Sequence, residues 1–192
     1  GYVVTHIPGL HNVCNCLAAS AVAMELGLSF EDVKNGLKDF SGVERRFQIK
    51  GTVDGVIVID DYGHHPQEIK ATLKAAKDGW NKRVIAVFQP HRYTRTKDLF
   101  YEFLSAFNDA DILILTDIYP AGESKIEGVS SKVLFEAVKG YCHRNVVYIS
   151  DKKDVPNYLK AVVIPEDMII TFGAGDIWQI GEEILKKIQN EE

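Results

Sequence analysis

The side chains most capable of chemistry in this sequence stand in four short segments, and each segment follows a strand-like apolar run. The segments read DDYGHHP, QPHRYTR, DIYPAGE and GAGD, at positions 60–66, 89–95, 117–123 and 173–176. They combine carboxylates, imidazoles, guanidinium groups and phenols with glycines, at a density well above what turns require. Carboxylates and imidazoles transfer protons, and guanidinium groups bind anions. If the four strand ends lie side by side, they form a site for a polar ligand.

Arg92 and Arg95 are the strongest anion-binding candidates. They stand three residues apart at the entrance to a predicted helix, so both guanidinium groups can turn toward one point. A planar guanidinium fork is the best side-chain match for a carboxylate or a phosphate. The alternative is a pair of solvated surface arginines. Their position after a buried strand, where ligands of open α/β sheets bind, favours the anion site.

The acidic and imidazole residues of the first segment have structural alternatives. Asp60 and Asp61 are candidates for binding a ligand and for capping the helix that is predicted to start near Pro66, and both roles can hold at once. His64 and His65 suggest a metal pair, but the side chains of adjacent residues diverge, and no third ligand follows at zinc-like spacing. Polar contacts with a substrate are the favoured interpretation, and no metal site is expected in this chain.

A second polar group, His11, Asn12 and Asn15, falls in the first turn of a predicted helix. Polar residues at a helix start often only cap it. The Asn15 amide is nevertheless a candidate for the edge of an adenine, because an amide can donate and accept one hydrogen bond each. The glycine turn at 173–175 leads into a helix and can approach a phosphate, but as a nucleotide signal it is weak.

Several motifs of self-contained enzymes are absent from the sequence. It contains no P-loop, G-x-x-x-x-G-K-[ST], and no G-x-S-x-G nucleophile elbow. It also lacks a G-x-G-x-x-G fingerprint after its first strand, and it lacks the acidic residue that would follow this fingerprint downstream. A stand-alone NTPase, an α/β hydrolase and a nicotinamide-dependent oxidoreductase are therefore disfavoured.

The elements that must position these residues follow from the apolar pattern. Apolar residues at three- and four-residue intervals predict two helices. The first spans 11–26, and the second begins after Ser29 and ends at Phe40. Beyond a boundary near Ser41, strands apolar on every residue alternate with helices, as in a parallel sheet covered on both faces. We expect a doubly wound, Rossmann-like α/β domain with a mostly parallel sheet from about Gly42 onward. The predicted strands are 46–50, 55–60, 84–88, 112–116, 146–149 and 168–172, and the helices between and after them include 96–108, 131–139, 155–161 and 178–188.

Composition narrows the classes of protein further. The chain has 192 residues, 46% of them hydrophobic and 26% charged, which is a globular and not a disordered balance. The net charge of −5 gives no basic field for nucleic acid or an anionic membrane. No stretch is long and apolar enough for a membrane-spanning helix, and residues 1–10 do not resemble a signal peptide, so we expect a cytoplasmic protein. Cys14, Cys16 and Cys142 are expected to be buried thiols and not disulfide or zinc ligands.

Together, the motifs resemble one enzyme family. The run G-L-H-N-V-C-N at 9–15 resembles the segment that closes the central ATPase domain of the Mur ligases, the ATP-dependent amide ligases of peptidoglycan precursor synthesis. The segments E-R-R-F at 44–47, D-D-Y-G-H-H-P, Q-P-H-R-Y-T-R-T and Y-P-A-G-E are similar to the branch that adds L-alanine to UDP-N-acetylmuramate. The five motifs occur in order and at compatible spacing between residues 9 and 123, and the resemblance extends over nearly the whole chain, although each motif alone is a weak pattern.

The resemblance implies an activity and a set of site residues. Family members phosphorylate a substrate carboxylate with ATP and Mg²⁺, and an amine then attacks the acyl phosphate. It implies that Arg46, His64 and His91 are catalytic. It also implies an ATP site formed by His11, Asn15, Arg46 and Asp61. It further implies an amino-acid pocket formed by Tyr62, His64, His91, Arg92 and Arg95. Motif membership alone gives no role to His65, Glu123 or Asp176.

The resemblance further implies a division of the chain. Residues 1–42 would be the end of the central ATP-binding domain and residues 43–192 the C-terminal ligase domain, with Gly42 as a hinge candidate. The sequence starts without Met, and the P-loop, the metal-binding acid and the UDP-binding domain would lie upstream, so we expect no turnover by this chain alone. Two alternatives stay open: a ligase that recycles murein tripeptide onto the same nucleotide sugar, and a non-catalytic α/β ligand-binding module.

Overall fold

The computed structural model describes residues 1–141 and 145–189. It begins with two helices, α1 (Leu10–Glu25) and α2 (Phe30–Asp39), as predicted. Ser29 caps α2, since its Oγ accepts from the Asp32 N–H at 3.2 Å while the Asp32 carboxylate accepts from the Ser29 N–H at 2.9 Å. Of the helices in the described residues, none combines the length and apolar character that a membrane span requires.

The rest of the chain builds one six-stranded sheet in the order β1-β2-β6-β3-β4-β5. All neighbouring strands are parallel except β1, which pairs antiparallel with β2 at one edge. The strands are β1 (Gln48–Val53), β2 (Val56–Asp61), β3 (Val84–Phe88), β4 (Ile112–Leu115), β5 (Val146–Tyr148) and β6 (Met168–Phe172). The helices that follow are α3 (Pro66–Gly79), α4 (Tyr93–Asp98), α5 (Phe100–Phe103), α6 (Ser131–Tyr141), α7 (Val155–Val162) and α8 (Trp178–Gln189).

Two hydrophobic cores cover the two faces of this sheet. In β3, Ala86 and Phe88 belong to the core that α3, α5 and α6 cover, whereas Ile85 and Val87 belong to the core under α7 and α8. Every residue of β3 and β6 is buried, which explains why these strands are apolar throughout and not only on alternate residues. The expected doubly wound α/β fold is confirmed.

Two predicted elements differ in the structure. The strand expected at 46–50 begins only at Gln48, because Arg45 and Phe47 have positive φ angles of 59° and 46° that a strand does not contain. The single helix expected at 96–108 starts earlier, at Tyr93, and breaks at Leu99 into α4 and α5. Tertiary packing overrides the local helical pattern there.

The cysteine prediction is corrected. Cys14 is exposed and Cys16 is partly buried, and both are free thiols. Cys14 lies on α1, which buries none of its residues, so the helix does not shield the thiol. Cys142 lies outside the described residues.

Gly173, at the end of β6, tests how closely the strand ends approach. Its φ is 147°, and a Cβ there would stand 2.8 Å from the Gln89 carbonyl oxygen. We expect Gly173→Ala to lower the free energy of unfolding by about 1–3 kcal/mol in urea titrations. The control, Gly140→Ala in α6, has nothing within 4 Å of the new methyl group and should be neutral or slightly stabilising. Equal stability of the two variants would contradict the close approach.

Candidate functional site

Four of the polar segments meet at one edge of the sheet, as the sequence predicts. Because β2, β6, β3 and β4 are neighbours and parallel, their carboxyl ends lie side by side. Backbone hydrogen bonds continue beyond the strands: the Gly173 N–H donates to the Asp61 carbonyl at 3.2 Å, and His91 forms a bridge with Tyr119. The site therefore rests on rigid backbone and not on independent loops.

Four aromatic rings from three strand ends form a continuous row. The Tyr62 and His64 centroids are 5.4 Å apart, edge to face, and His64 and His91 are 5.9 Å apart. Tyr119 then stacks on His91 at 5.6 Å with an interplanar angle of 9°. The structure thus brings together the predicted residues Tyr62, His64 and His91 and adds Tyr119, which the sequence analysis gave no role.

The two predicted arginines lie beside this row, Arg92 as the N-cap residue of α4 and Arg95 within that helix. Arg95 Nη1 is 3.0 Å from His91 Nδ1 and 3.2 Å from the His91 carbonyl oxygen, so it contacts both ends of that residue. The half-exposed Arg92 has an Nη1 4.0 Å from Glu123 Oε1 and a strained φ of 73°. Its backbone N–H donates to the Tyr119 carbonyl at 2.9 Å. Both guanidinium groups act electrostatically on His91, and half of the Arg92 side chain is exposed to solvent.

Glu123 fixes the helix that carries the arginines. Its carboxylate accepts from the Thr94 N–H at 3.0 Å and from the Thr94 hydroxyl at 2.6 Å, which caps α4 from a different loop. These hydrogen bonds lower the pKa of Glu123. Ala121 and Gly122, with φ angles of 49° and 84°, turn the chain so that Glu123 reaches Thr94. The residue without a role in the sequence analysis thus positions Arg92 and Arg95.

Burial and positive charge keep the two imidazoles neutral. Burial, followed by the charge of Arg95, lowers the pKa of His91 to about 4. The same two causes lower the pKa of His64. At neutral pH, the positive charge of this cluster therefore belongs to the guanidinium groups and not to the histidines.

Arg45, which the sequence analysis did not select, connects three of the segments at the site. Its Nε donates to Asp60 Oδ2 at 2.8 Å, its Nη2 donates to the Gly173 carbonyl at 2.7 Å, and its guanidinium carbon lies 5.0 Å from the Tyr62 ring centroid. Asp60 is 1% exposed and also accepts from the Thr171 hydroxyl at 2.6 Å. The ion pair joins the loop before β1 to β2, and the hydrogen bond from Arg45 to Gly173 joins the same loop to the turn after β6.

Most of the predicted nucleotide residues lie around a cavity of about 260 Å³ that adjoins the aromatic row, since Tyr62 lines it too. His11, Arg46 and Asp61 line it, together with Asn12. The described lining does not include Asn15, whose side-chain amide donates to Asn12 Oδ1 at 3.4 Å. Three of the four predicted nucleotide residues therefore share one cavity, and Arg46 is exposed beside it.

Asp61 has a clear structural task in this cavity wall. Its Oδ2 accepts from the Phe47 N–H at 2.9 Å and the Thr72 hydroxyl at 3.2 Å, and its Oδ1 accepts from the Gly63 N–H at 2.7 Å. Burial raises its pKa, against these hydrogen bonds. The carboxylate thus holds the backbone on both sides of the cavity, and one acceptor position of Oδ1 remains available to a ligand.

The capping alternative for Asp60 and Asp61 is wrong, because His65 is the N-cap of α3. His65 Nδ1 accepts from the Gln67 N–H at 3.3 Å, and the Glu68 carboxylate accepts from the N–H groups of His64 and His65 at 3.0 Å each. This capping box gives His65 a structural role. Within residues 1–141 and 145–189, no three or more His, Cys, Asp or Glu residues group in a way that can hold a metal ion.

Asp176 lies on the far side of Tyr119, in a cavity of about 390 Å³. It accepts from Gln89 Nε2 at 3.2 Å and forms an ion pair with Lys152, which lowers its pKa against the effect of burial. Its contacts join the turns after β3, β5 and β6. Asp176 is therefore a structural crosslink of the strand-end edge.

The cap from Glu123 predicts a local change in dynamics. In Glu123→Ala the Thr94 amide loses its acceptor, so the first turn of α4 should open more often and Thr94 should exchange its amide hydrogen faster. Hydrogen exchange followed by NMR measures this. Glu127→Ala, at an exposed position of the same loop, is the matched control. Unchanged exchange at Thr94 in Glu123→Ala would show that the cap is unimportant.

The electrostatic account of His91 is tested by removing its neighbour. In Arg95→Met the second largest cause of the low pKa is gone, so the His91 pKa should rise from about 4 toward 6.5. An NMR titration of the imidazole protons gives this value directly. Lys97→Met removes a charge from the same helix and should leave His91 unchanged. A His91 pKa that stays near 4 in Arg95→Met would show that burial and the other charged neighbours, and not Arg95, lower it.

Comparison with known proteins gives relatives along nearly the whole chain. The UDP-N-acetylmuramate–L-alanine ligases of Geotalea daltonii and Geobacter sulfurreducens are 55% and 52% identical over 189 and 190 residues. Each alignment covers 98% of this chain and 41% of the relative, so the chain spans less than half of either protein.

Solved structures show the same fold. The UDP-N-acetylmuramate–alanine ligase of Thermotoga maritima has a TM-score of 0.81 and 28% identity, over 99% of this chain and 40% of that one. A murein peptide ligase of Psychrobacter arcticus has a TM-score of 0.69 at 24% identity, over 98% and 39% of the two chains, which indicates a shared fold alone.

The family comparison covers the strand-end cluster. Residues 45–175 match the family described as Mur ligase, glutamate ligase domain. That range holds Tyr62, His64, His91 and both arginines of α4. Because the match extends over more than half of the chain, this protein belongs to the Mur ligase family.

Proposed function

We propose that this chain is the C-terminal part of an ATP-dependent ligase that joins L-alanine to UDP-N-acetylmuramate in peptidoglycan precursor synthesis. The observation that carries the proposal is the strand-end cluster, in which two guanidinium groups flank two neutral imidazoles. Such a cluster suits a ligand with a carboxylate and an amine. The alanine ligases that match 98% of the chain at above 50% identity support the choice of amino acid.

In this proposal the amino-acid pocket consists of Tyr62, His64, His91, Arg92 and Arg95. The guanidinium groups bind the incoming carboxylate, and the phenol and imidazoles line the space around the amine. Glu123 and His65 act only through the helices that they cap. Orienting the amine before attack is a positioning contribution of the kind that lowers the barrier to bond formation.

The nucleotide side of the proposal rests on the 260 Å³ cavity. The exposed Arg46 suits phosphate oxygens, the free acceptor position of Asp61 suits a ribose hydroxyl, and His11 and Asn15 are assigned to the adenine. When bound, ATP supplies the phosphoryl group that activates the substrate carboxylate. The described residues do not fit a Mg²⁺ site by themselves, so its ligands are assigned to another part of the full-length protein.

The proposed domain boundary lies between residues 42 and 43. Residues 1–42 complete a central ATP-binding domain, and residues 43–192 form the ligase domain. The exposed apolar side chains of α1 support it, since Val13, Leu17 and Val22 are 43%, 65% and 61% exposed. Gly42, with a φ of 105°, is the proposed hinge. Without the rest of the ligase, the chain should show no alanine-dependent ATP turnover.

The test is ADP release by the full-length protein with UDP-N-acetylmuramate, ATP and Mg²⁺, comparing L-alanine, murein tripeptide and no acceptor. Stimulation by L-alanine is the expected result. Stimulation by the tripeptide alone would assign the protein to tripeptide recycling. Absence of stimulation by either, with a folded protein, would favour a non-catalytic binding module.

The carboxylate clamp gives a quantitative prediction. In the full-length protein, Arg92→Ala and Arg95→Ala should each raise the KM for L-alanine about 10- to 100-fold, because a hydrogen bond to a charged group is worth about 1.5–3 kcal/mol. The KM for ATP should change much less. Lys97→Ala, on the same helix, is the control and should leave both constants unchanged. A rise in the KM for ATP alone would place the arginines at the nucleotide.

A further inference from the structure

We propose that His64 and His91 are held in opposite neutral tautomers, so that His64 presents a hydrogen-bond acceptor and His91 a donor to the same ligand. The tautomers follow from contacts within this chain. Their catalytic meaning, a proton acceptor for the amine and a hydrogen-bond donor toward an oxygen, rests on the proposed function. The two parts are therefore tested separately.

The tautomer of His91 follows from its contact with Arg95. A guanidinium group can only donate hydrogen bonds, since it has no acceptor and does not lose its proton in proteins. Arg95 Nη1 lies 3.0 Å from His91 Nδ1, so Nδ1 must carry the lone pair. The proton of the neutral ring is then on Nε2. Arg95 Nη1 also contacts the His91 carbonyl oxygen at 3.2 Å, which fixes the relative position of the two residues.

The tautomer of His64 is the reverse, because its partner can only accept. His64 Nδ1 lies 3.1 Å from the Tyr62 carbonyl oxygen, so Nδ1 must carry the proton. The lone pair of the ring is then on Nε2. The backbone N–H of His64 donates to Glu68 Oε2 at 3.0 Å, which holds the residue at the start of α3.

The charged neighbours of both rings preserve this neutral arrangement. Arg92 and Arg95 on α4 face His91, with Glu123 opposing them from the loop after β4. Arg95 also faces His64, beside Glu68 and His65 of the α3 start. Burial and the guanidinium charge lower both histidine pKa values, so neither ring is protonated at neutral pH and the tautomers persist.

This arrangement divides the work of amide formation. The alanine ammonium gives one proton to His64 Nε2, and the neutral amine forms the C–N bond to the acyl phosphate carbon. The C–O bond to phosphate breaks, and phosphate leaves with its electron pair and takes up the second amine proton, which leaves one N–H in the amide. His91 Nε2–H donates to a carboxyl oxygen without giving up its proton. His64 then returns its proton to water.

The tautomers are measured on the ¹⁵N-labelled chain at neutral pH by long-range ¹H–¹⁵N correlation of the imidazoles. His64→Gln and His91→Gln assign the signals. We expect His64 protonated on Nδ1 and His91 on Nε2, and the same tautomer in both would overturn the proposal. In Arg95→Met, the share of neutral His91 in the Nε2–H tautomer should fall toward that of a free imidazole side chain, whereas Lys97→Met should preserve it.

The catalytic part is measured on the full-length protein as kcat/KM for L-alanine against pH. The wild type should lose activity as pH falls through a pKa below 6.5, because protonated His64 cannot accept. His64→Gln should lower kcat/KM about 100-fold or more and remove this acid limb, whereas His91→Gln, which keeps an N–H donor, should retain it. An acid limb that survives in His64→Gln would refute the catalytic role. If L-alanine gives no turnover at all, the proposed function fails while the tautomer result stands.

Discussion

The position of β6 between β2 and β3 is the constraint on which the rest of the structure depends. Its parallel pairing with both strands brings Asp61, Gln89 and Gly173 to one edge, where the Gly173 N–H donates to the Asp61 carbonyl at 3.2 Å and the Gln89 N–H donates to the Phe172 carbonyl at 3.0 Å. Complete burial of β6 on both faces leaves little freedom to shift this register. The backbone of the site is therefore rigid, and helix caps and ion pairs are sufficient to orient its side chains.

Those supports are polar contacts with backbone groups. Arg45 donates to the Gly173 carbonyl and the Glu123 carboxylate accepts from the Thr94 N–H, so each joins segments that are distant along the chain, whereas the His65 cap accepts from the Gln67 N–H within its own segment. Removing Arg45 would leave the buried Asp60 carboxylate without its charged partner, which is destabilising. The edge therefore combines an electropositive cluster with a backbone that several independent contacts hold in place.

Much of this organisation can be predicted from the sequence, because apolar runs such as 84–88 and 168–172 report burial on both sides of a sheet. The same logic predicts that Tyr62, His64 and His91 meet at one edge, and the structure confirms that proximity. Their roles toward a substrate stay predictions.

The remaining features depend on conformation and not on residue type. Positive φ angles at Arg45 and Phe47 decide that Arg45 and not Arg46 points into the edge, and positive φ at Ala121 and Gly122 brings Glu123 to Thr94. The N-cap role of His65 depends on its β-region backbone. Local sequence patterns carry no signal for contacts between segments that are distant along the chain.

The most direct test of the central claim is a crystal structure of the full-length protein with L-alanine and a non-hydrolysable ATP analogue. The account predicts the alanine carboxylate within hydrogen-bond distance of the Arg92 and Arg95 guanidinium groups and its amine next to His64 Nε2. Alanine bound instead in the cavity beyond Tyr119, or in a part of the protein outside this edge, would contradict it.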